Sequence, residues 1–510
     1  MKLDRLSPMQ FSCGVTFIFA IVVSSALFHH EMWRDELQAW MLAVNSSSLA
    51  DLFANMQFER HPRLWHVMLF LVSRLTTNAA AMQAVHGLLA TINVFIIARF
   101  APFSRRQVVL LVFGYFFAFE YAVISRNYVL DVHFFLLALL CYPNHHQRPL
   151  LFAGILFFLA QTTAFGLVLV FCFIGVAGLQ WLSNRKEHSF RSGHVVPIAL
   201  SAVIVVAGVL FSLCQMRSPE VGLATIIDFK FDPFLLTLTA ETLWKAFVPI
   251  PALTLHFWNS NFIGIGEIRL FLSAVLFFLS MLSLLHKRVA VQFYFLAVIG
   301  CLILMYQFQI FMYLRYFGHL FLIYIGASWL AAQSKETTTE ASRMHHWTLW
   351  SLRIHRPFLN ILLLLQFIAA AIALAYDWQN PFSGSEAAAE YIRMHHLDEL
   401  PMVGDLEEPA SAVAARLDKS IYYPRREVWG SYIIFKKPNP KIRTRQVLKI
   451  AQQIANSKRS DVLFICNYFP WRGKYDFEWI ASFPCSIVAD EKYVLYRLRY
   501  SKYIPEAEGQ

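Results

Sequence analysis

The stretch Phe11–Glu36 reads FSCGVTFIFAIVVSSALFHHEMWRDE. Its first part, Phe11–Phe28, carries no charged residue. A helix needs about 20 mostly apolar residues to cross a bilayer. The second part turns polar at once and ends on two adjacent carboxylates, Asp35 and Glu36. Leu150–Phe171 and Phe271–Leu285 are further apolar runs. The composition agrees: 57% of the 510 residues are hydrophobic and 15% charged, where a soluble domain carries roughly 25% charged residues. A soluble protein with this content would need helices apolar on every face many times over.

The hydropathy pattern predicts a mainly α fold, a polytopic helical bundle of about eleven spans. They cover residues 11–29, 82–100, 107–124, 128–142, 149–162, 164–182, 194–214, 268–285, 289–308, 317–332 and 357–376. The first could pass for a signal peptide; an uncleaved anchor is preferred because the polar segment behind it needs tethering. Leu64–Thr76 is too short to span and holds His66 and Arg74, so it is read as a helix in the interface. Lys2 and Arg5 precede the first span. Alternate loops then carry Arg99, Arg105 and Arg106; Arg148; Arg185, Lys186 and Arg191; Lys287 and Arg288; and Arg343, Arg353 and Arg356. With this count all fall on one side, which the positive-inside rule makes cytoplasmic. The count turns on a tight turn at Gln161–Gly166. The loop after the first span and the tail after Tyr376 then face outward.

The net charge of +11 is spread in short clusters between apolar runs, not in a basic stripe with aromatics, so nucleic acid is not the expected partner. Membrane lipids are. Five of the seven cysteines lie in or beside apolar runs, where they pack as small hydrophobes. Cys466 and Cys485 lie in the tail and would be free to pair in an oxidising compartment. The predicted division is a membrane part, 1–376, with an outward loop over 30–80, and a small C-terminal α/β extracytoplasmic domain, 377–510. In that domain Ser385–His396 and Gln446–Asn456 read as helices. Pro401–Asp405, Asp461–Cys466 and Ile487–Arg497 read as strands. No GxGxxG or P-loop pattern occurs there.

Chemistry concentrates in the outward loop: Trp33-Arg34-Asp35-Glu36, then Glu59-Arg60-His61-Pro62-Arg63-Leu64-Trp65. A carboxylate near low dielectric can have a raised pKa and accept a proton near neutral pH. An ordinary polar loop capping a juxtamembrane helix has the same appearance. Asn127 and Asp131, at i,i+4, share a helix face, and ionisable groups inside a membrane usually face a cavity or a partner. His319 stands four residues after Arg315. For Arg315, phosphate binding competes with simple snorkelling to headgroups.

A first span, an acidic pair in the outward loop, and a proline motif before an aromatic juxtamembrane helix resemble the type C membrane glycosyltransferases (GT-C, family 39-like). Protein O-mannosyltransferases and the aminoarabinose transferases acting on lipid A belong there. Asp35-Glu36 stands at the acidic motif. His61-Pro62-Arg63-Leu64-Trp65 stands at a Pro-Pro-Leu-Tyr-like motif, with Arg63 in place of the second proline. Ser125-Arg126-Asn127-Tyr128 and Arg315-Tyr316 are further matches. The resemblance implies a transferase in a bacterial inner or plasma membrane. It would move a sugar from a polyprenyl-phosphate donor to a lipid, glycan or protein hydroxyl by inverting displacement. In that reading Asp35 is the base and Glu36 its neighbour or a metal contact. Arg34, Glu59, His61, Arg126, Asn127, Tyr128, Arg315, Tyr316 and His319 are expected to bind substrate. No cofactor is required, though the chemistry would admit a divalent metal. His29, His30 and Glu31 could ligate one but show no HExxH-like spacing and read as interface residues. The alternatives are a transporter or flippase, against which the lack of internal repeats counts, and a non-catalytic assembly subunit.

Overall fold

A computed structural model describes residues 6–59, 61–183, 195–217, 231–334, 345–435, 442–469 and 477–500. Arg60, Lys2, Arg5, Arg185, Lys186, Arg191 and Arg343 lie outside the described residues. Helix α1, Pro8–His29, starts on a reciprocal cap in which Ser7 and Gln10 satisfy each other's backbone N–H, with proline in the first turn; such boxes fix helix starts. There follow α2 (Arg34–Asn45), α3 (Leu49–Asn55), α4 (Leu64–Ser73), α5 (Ala80–Phe100), α6 (Arg105–Val112), α7 (Tyr128–Cys141), α8 (Pro149–Ala160), α9 (Ala164–Ser183), α10 (Val195–Met216), α11 (Pro233–Ala240), α12 (Thr242–Phe247), α13 (Gly266–Leu284), α14 (Arg288–Gln307), α15 (Leu314–Gln333) and α16 (His345–Gln379).

Seven helices among the described residues are long and apolar enough to cross a membrane: α1, α5, α9, α10, α13, α14 and α16. Many keep large apolar side chains on their outer faces, such as Phe17, Val203, Phe278 and Ile361. Helices apolar all round belong in a bilayer. This is the build of a membrane protein.

Several boundaries differ from those read in the sequence. The segment 107–124 is not one helix. It breaks after α6 at Gly114 into a π turn, Phe116–Glu120, and a Cβ on Gly114 would sit 3.1 Å from Gln366 Cβ. Arg353 and Arg356 are not in a loop, because α16 begins at His345 and runs through Pro357. The turn expected within Gln161–Gly166 is present between α8 and α9, and α4 is a ten-residue helix packed on α2.

Among the described residues, the basic turns at Arg105 and Lys287 lie at one end of the bundle. Arg105 Nη2 donates to Leu6 O at 2.6 Å, Gln107 joins α6 to Asn360 of α16, and Lys287 Nζ donates to Ser334 O. The opposite end holds His30, Asp35, Ser125 and Arg315.

The C-terminal fold adds α17 (Ser385–Met394), β1 (Met402–Gly404), α18 (Glu407–Leu417), β2 (Ile421–Tyr423), β3 (Val428–Gly430), α19 (Thr444–Lys458), β4 (Val462–Cys466), β5 (Phe477–Phe483) and β6 (Tyr493–Leu498). The sheet order is β3-β2-β1-β4-β6-β5. β1 runs parallel to β2 and β4, and the other pairs are antiparallel. Successive β4 residues point to opposite faces. Leu463 and Ile465 join α17 and α18 in one apolar cluster; Val462, Phe464 and Cys466 join α19 in the other. Helices thus cover both faces of the sheet. All seven cysteines are free, Cys466 buried and Cys485 exposed.

Candidate functional site

The chain leaves α1 at His30, runs extended to Trp33 and enters α2, whose first turn carries Asp35 and Glu36. Carboxylates suit that position because helix N–H groups point toward them. The two acids have different environments. Glu36 reaches back to the Trp33 N–H at 3.2 Å. It also accepts from the Ser125 N–H at 2.6 Å and meets His30 Nε2 at 3.1 Å. The other His30 nitrogen lies 3.1 Å from Asp377 of α16. Glu36 is 0% exposed; it ties α2 to α1, α16 and the Ser125 turn rather than facing an opening.

Asp35 points the other way, into a cavity of about 310 Å³ lined in part by Arg34, Gln38, Glu59, His61, Arg126, Arg315 and Tyr316. Its Oδ2 accepts from Arg315 Nη2 at 3.0 Å, and 30% of its side chain stays accessible. Its backbone carbonyl accepts from Arg126 Nη1. Arg315 is not a snorkelling residue: it is 4% exposed, with its guanidinium close to the rings of Trp33, Tyr313 and Tyr316. Its Nε and Nη1 are buried without a hydrogen-bond partner, as is Arg126 Nε. Buried guanidinium nitrogens left unpaired are costly, and the two arginines that carry them here both line the cavity.

Electrostatics separate the groups further. Burial would raise the Asp35 carboxyl, but Arg315, Arg126 and Arg34 together hold it below its ordinary value. That reverses the raised pKa expected from proximity to low dielectric. Glu36 is also lowered, burial being outweighed by His30 and by the Ser125 and Trp33 N–H groups. Glu59 is raised by burial, which its hydrogen bond from Gln38 opposes. His61 is pushed down to about 4 by burial and by the charges of Arg126 and Arg315, so it is neutral at neutral pH.

Three expected residues lie away from the cavity. Asn127 donates to Thr162 O at 3.0 Å. His319 is buried, its Nε2 2.7 Å from Asp131 Oδ2, with Thr162 and Thr163 donating to the same carboxylate. Tyr128 packs its ring against Tyr316 and His319. These form a polar knot joining α7, α8, α9 and α15. His29 packs its ring at a tilt against Trp378. Among the described residues, no group of three or more His, Cys, Asp or Glu side chains is placed to hold a metal.

Other cavity residues escaped the sequence reading: Gln38, Phe58, Glu408, Ser411, Ile433 and Phe435. Gln38, one turn after Asp35, bonds both the N–H and C=O of Ile433. Arg34 is held at its N–H and side chain by Glu491, and at its side chain by Asp490. Such long-range pairings leave no local signal. A depression of about 360 Å³ on the C-terminal fold, lined by Asp398, Lys419 and Trp429 among others, is larger. It has no buried unpaired charge, so the Asp35 cavity is the stronger candidate. The chain matches no family model, no curated protein and no solved structure with which it was compared.

Proposed function

We propose that this protein is a membrane glycosyltransferase of the type C kind, taking a sugar from a polyprenyl-phosphate carrier. The observation that carries this reading is the Asp35–Arg315 pair in an open cavity, with Arg126 on the Asp35 carbonyl. Arg315 and Arg126 bind the donor phosphate through charge-assisted hydrogen bonds. The acceptor hydroxyl attacks the anomeric carbon from the face opposite the phosphate. Asp35 takes the hydroxyl proton as the new C–O bond forms and the sugar–phosphate bond breaks. The leaving phosphate keeps the electron pair, and its added charge falls on the arginines, a transition-state effect. One carboxylate opposite the leaving group gives inversion. About eleven spans are proposed, with the basic end cytoplasmic and residues 377–510 an outward-facing domain. Glu36, His319, Asn127 and Tyr128 serve as supports rather than substrate contacts.

The test is incubation of the purified full chain with labelled undecaprenyl-phosphate-linked glucose, mannose and arabinose, following release of the lipid phosphate. Release with sugar transfer supports the reading. Movement of intact donor across vesicle membranes without release would favour a flippase.

A further inference from the structure

We propose that the C-terminal α/β fold forms the acceptor side of the Asp35 cavity, and that the acceptor is the hydroxyl-rich end of a saccharide. This rests on the sugar-transfer reading above and narrows its acceptor.

Two parts of the chain line the cavity. Arg126 and Arg315 meet Asp35 through its carbonyl and its carboxylate, and their charges also reach His61. One turn after Asp35, Gln38 holds Glu59 at 3.0 Å and Ile433 on both backbone groups. There the lining passes to Glu408 and Ser411 of α18 and to Ile433 and Phe435 beyond β3. The first turns of α18 follow the carboxyl end of β1. β1 connects through α18 to β2 on one side, while its other neighbour, β4, is reached through α19 on the opposite face.

The residue types around Gln38 and the C-terminal fold select among acceptors. Glu59 and Glu408 disfavour a second phosphate, and carboxylates and a serine hydroxyl accept from sugar hydroxyls. The neutral His61 serves either as donor or as acceptor. Phe58 and Phe435 supply ring surface for the apolar face of a pyranose. A peptide binding by strand addition would need free backbone N–H and C=O groups, but those of Ile433 are both occupied by Gln38. The wall sets Phe58, Ile433 and Phe435 beside two acids, a serine and a histidine, a mixture that suits a saccharide with one apolar and one hydroxylated face.

The experiment uses the full chain in nanodiscs with the three labelled undecaprenyl-phosphate sugars. Malto-, chito- and manno-trioses, a Ser/Thr-rich peptide and dioleoylglycerol are offered as acceptors. Wild type, Ser411→Ala and Phe435→Ala are compared by the ratio of transfer to hydrolysis, which partial misfolding does not mimic. We expect transfer to a triose, and a ratio shifted about tenfold toward water in each variant. Transfer to the peptide or the lipid with every triose inert would overturn the inference, as would ratios within about twofold of wild type. Lipid-phosphate release by wild type in those failures leaves the sugar-transfer reading standing. Absence of any release removes both.

Discussion

Arg315 divides its guanidinium between two tasks: Nη2 holds Asp35 at 3.0 Å, and Nε and Nη1 stay unpaired. Lysine in its place keeps the charge but offers a point contact instead of a planar fork. Arg315→Lys should leave a stable protein whose transfer rate falls by about tenfold or more, the value of one lost charge-assisted bond. Unchanged rate and donor affinity would remove Arg315 from the phosphate site. The same ion pair sets the pH response. Asp35 is lowered below its ordinary value, so it stays ionised down through the usual carboxylate range near about 4. The rate constant kcat/KM, which reports the free enzyme, should therefore stay level from neutral pH down to about pH 4. Arg315→Met removes the opposing charge, lets burial raise Asp35, and should move the acid limb upward. A limb near neutrality in wild type would instead point to Glu491, whose carboxyl burial raises to about 7. The sequence singled out Asp35 and Arg315 but not their partnership, because 280 residues separate them.

Helix α2 is the element on which the site depends, and the C-terminal fold grips it at three places. Glu491 accepts from the Arg34 N–H, Ile433 pairs with Gln38, and Arg416 donates to Met32 O just before the helix. Burial raises Glu491 to about 7 despite the opposing pull of Arg34, so near neutral pH the neutral form that glutamine mimics is well populated. Glu491→Gln should keep kcat within about threefold of wild type, while Glu491→Ala should lower it about tenfold with little change in donor KM. A silent alanine variant in the same kinetics would show that the C-terminal fold does not position α2. Elements with strong hydropathy were legible as helix, though seven described helices, not eleven, have the length and composition to cross a membrane. The break at Phe116–Glu120 was not, because apolar residues fill both the helix and the π turn. Helix α18 was missed because EEPASAVAARL carries little hydrophobic signal, and β2 and β3 because three residues each make a weak alternation.

Among the described residues, the turns at Arg105 and Lys287 lie at one end of the bundle and the Asp35 cavity at the other. Contacts such as Arg105 to Leu6 and Lys287 to Ser334 tie those turns to neighbouring segments, while Arg34, Arg126 and Arg315 stand at the cavity. What the charge pattern could not carry was the docking of the C-terminal fold, which depends on single side chains such as Gln38 and Glu491. A reporter active only outside the cytoplasm, fused after Gln510, should be active; activity of a cytoplasm-only reporter there would invert the proposed orientation. The central claim is that Asp35 takes the acceptor proton during sugar transfer. Asp35→Asn keeps size and hydrogen bonding and removes the proton acceptor. Single-turnover transfer from undecaprenyl-phosphate-linked sugar, measured beside donor binding in wild type and Asp35→Asn, tests it most directly. The account predicts retained donor binding with transfer slowed at least about a hundredfold; transfer at the wild-type rate in Asp35→Asn would contradict it.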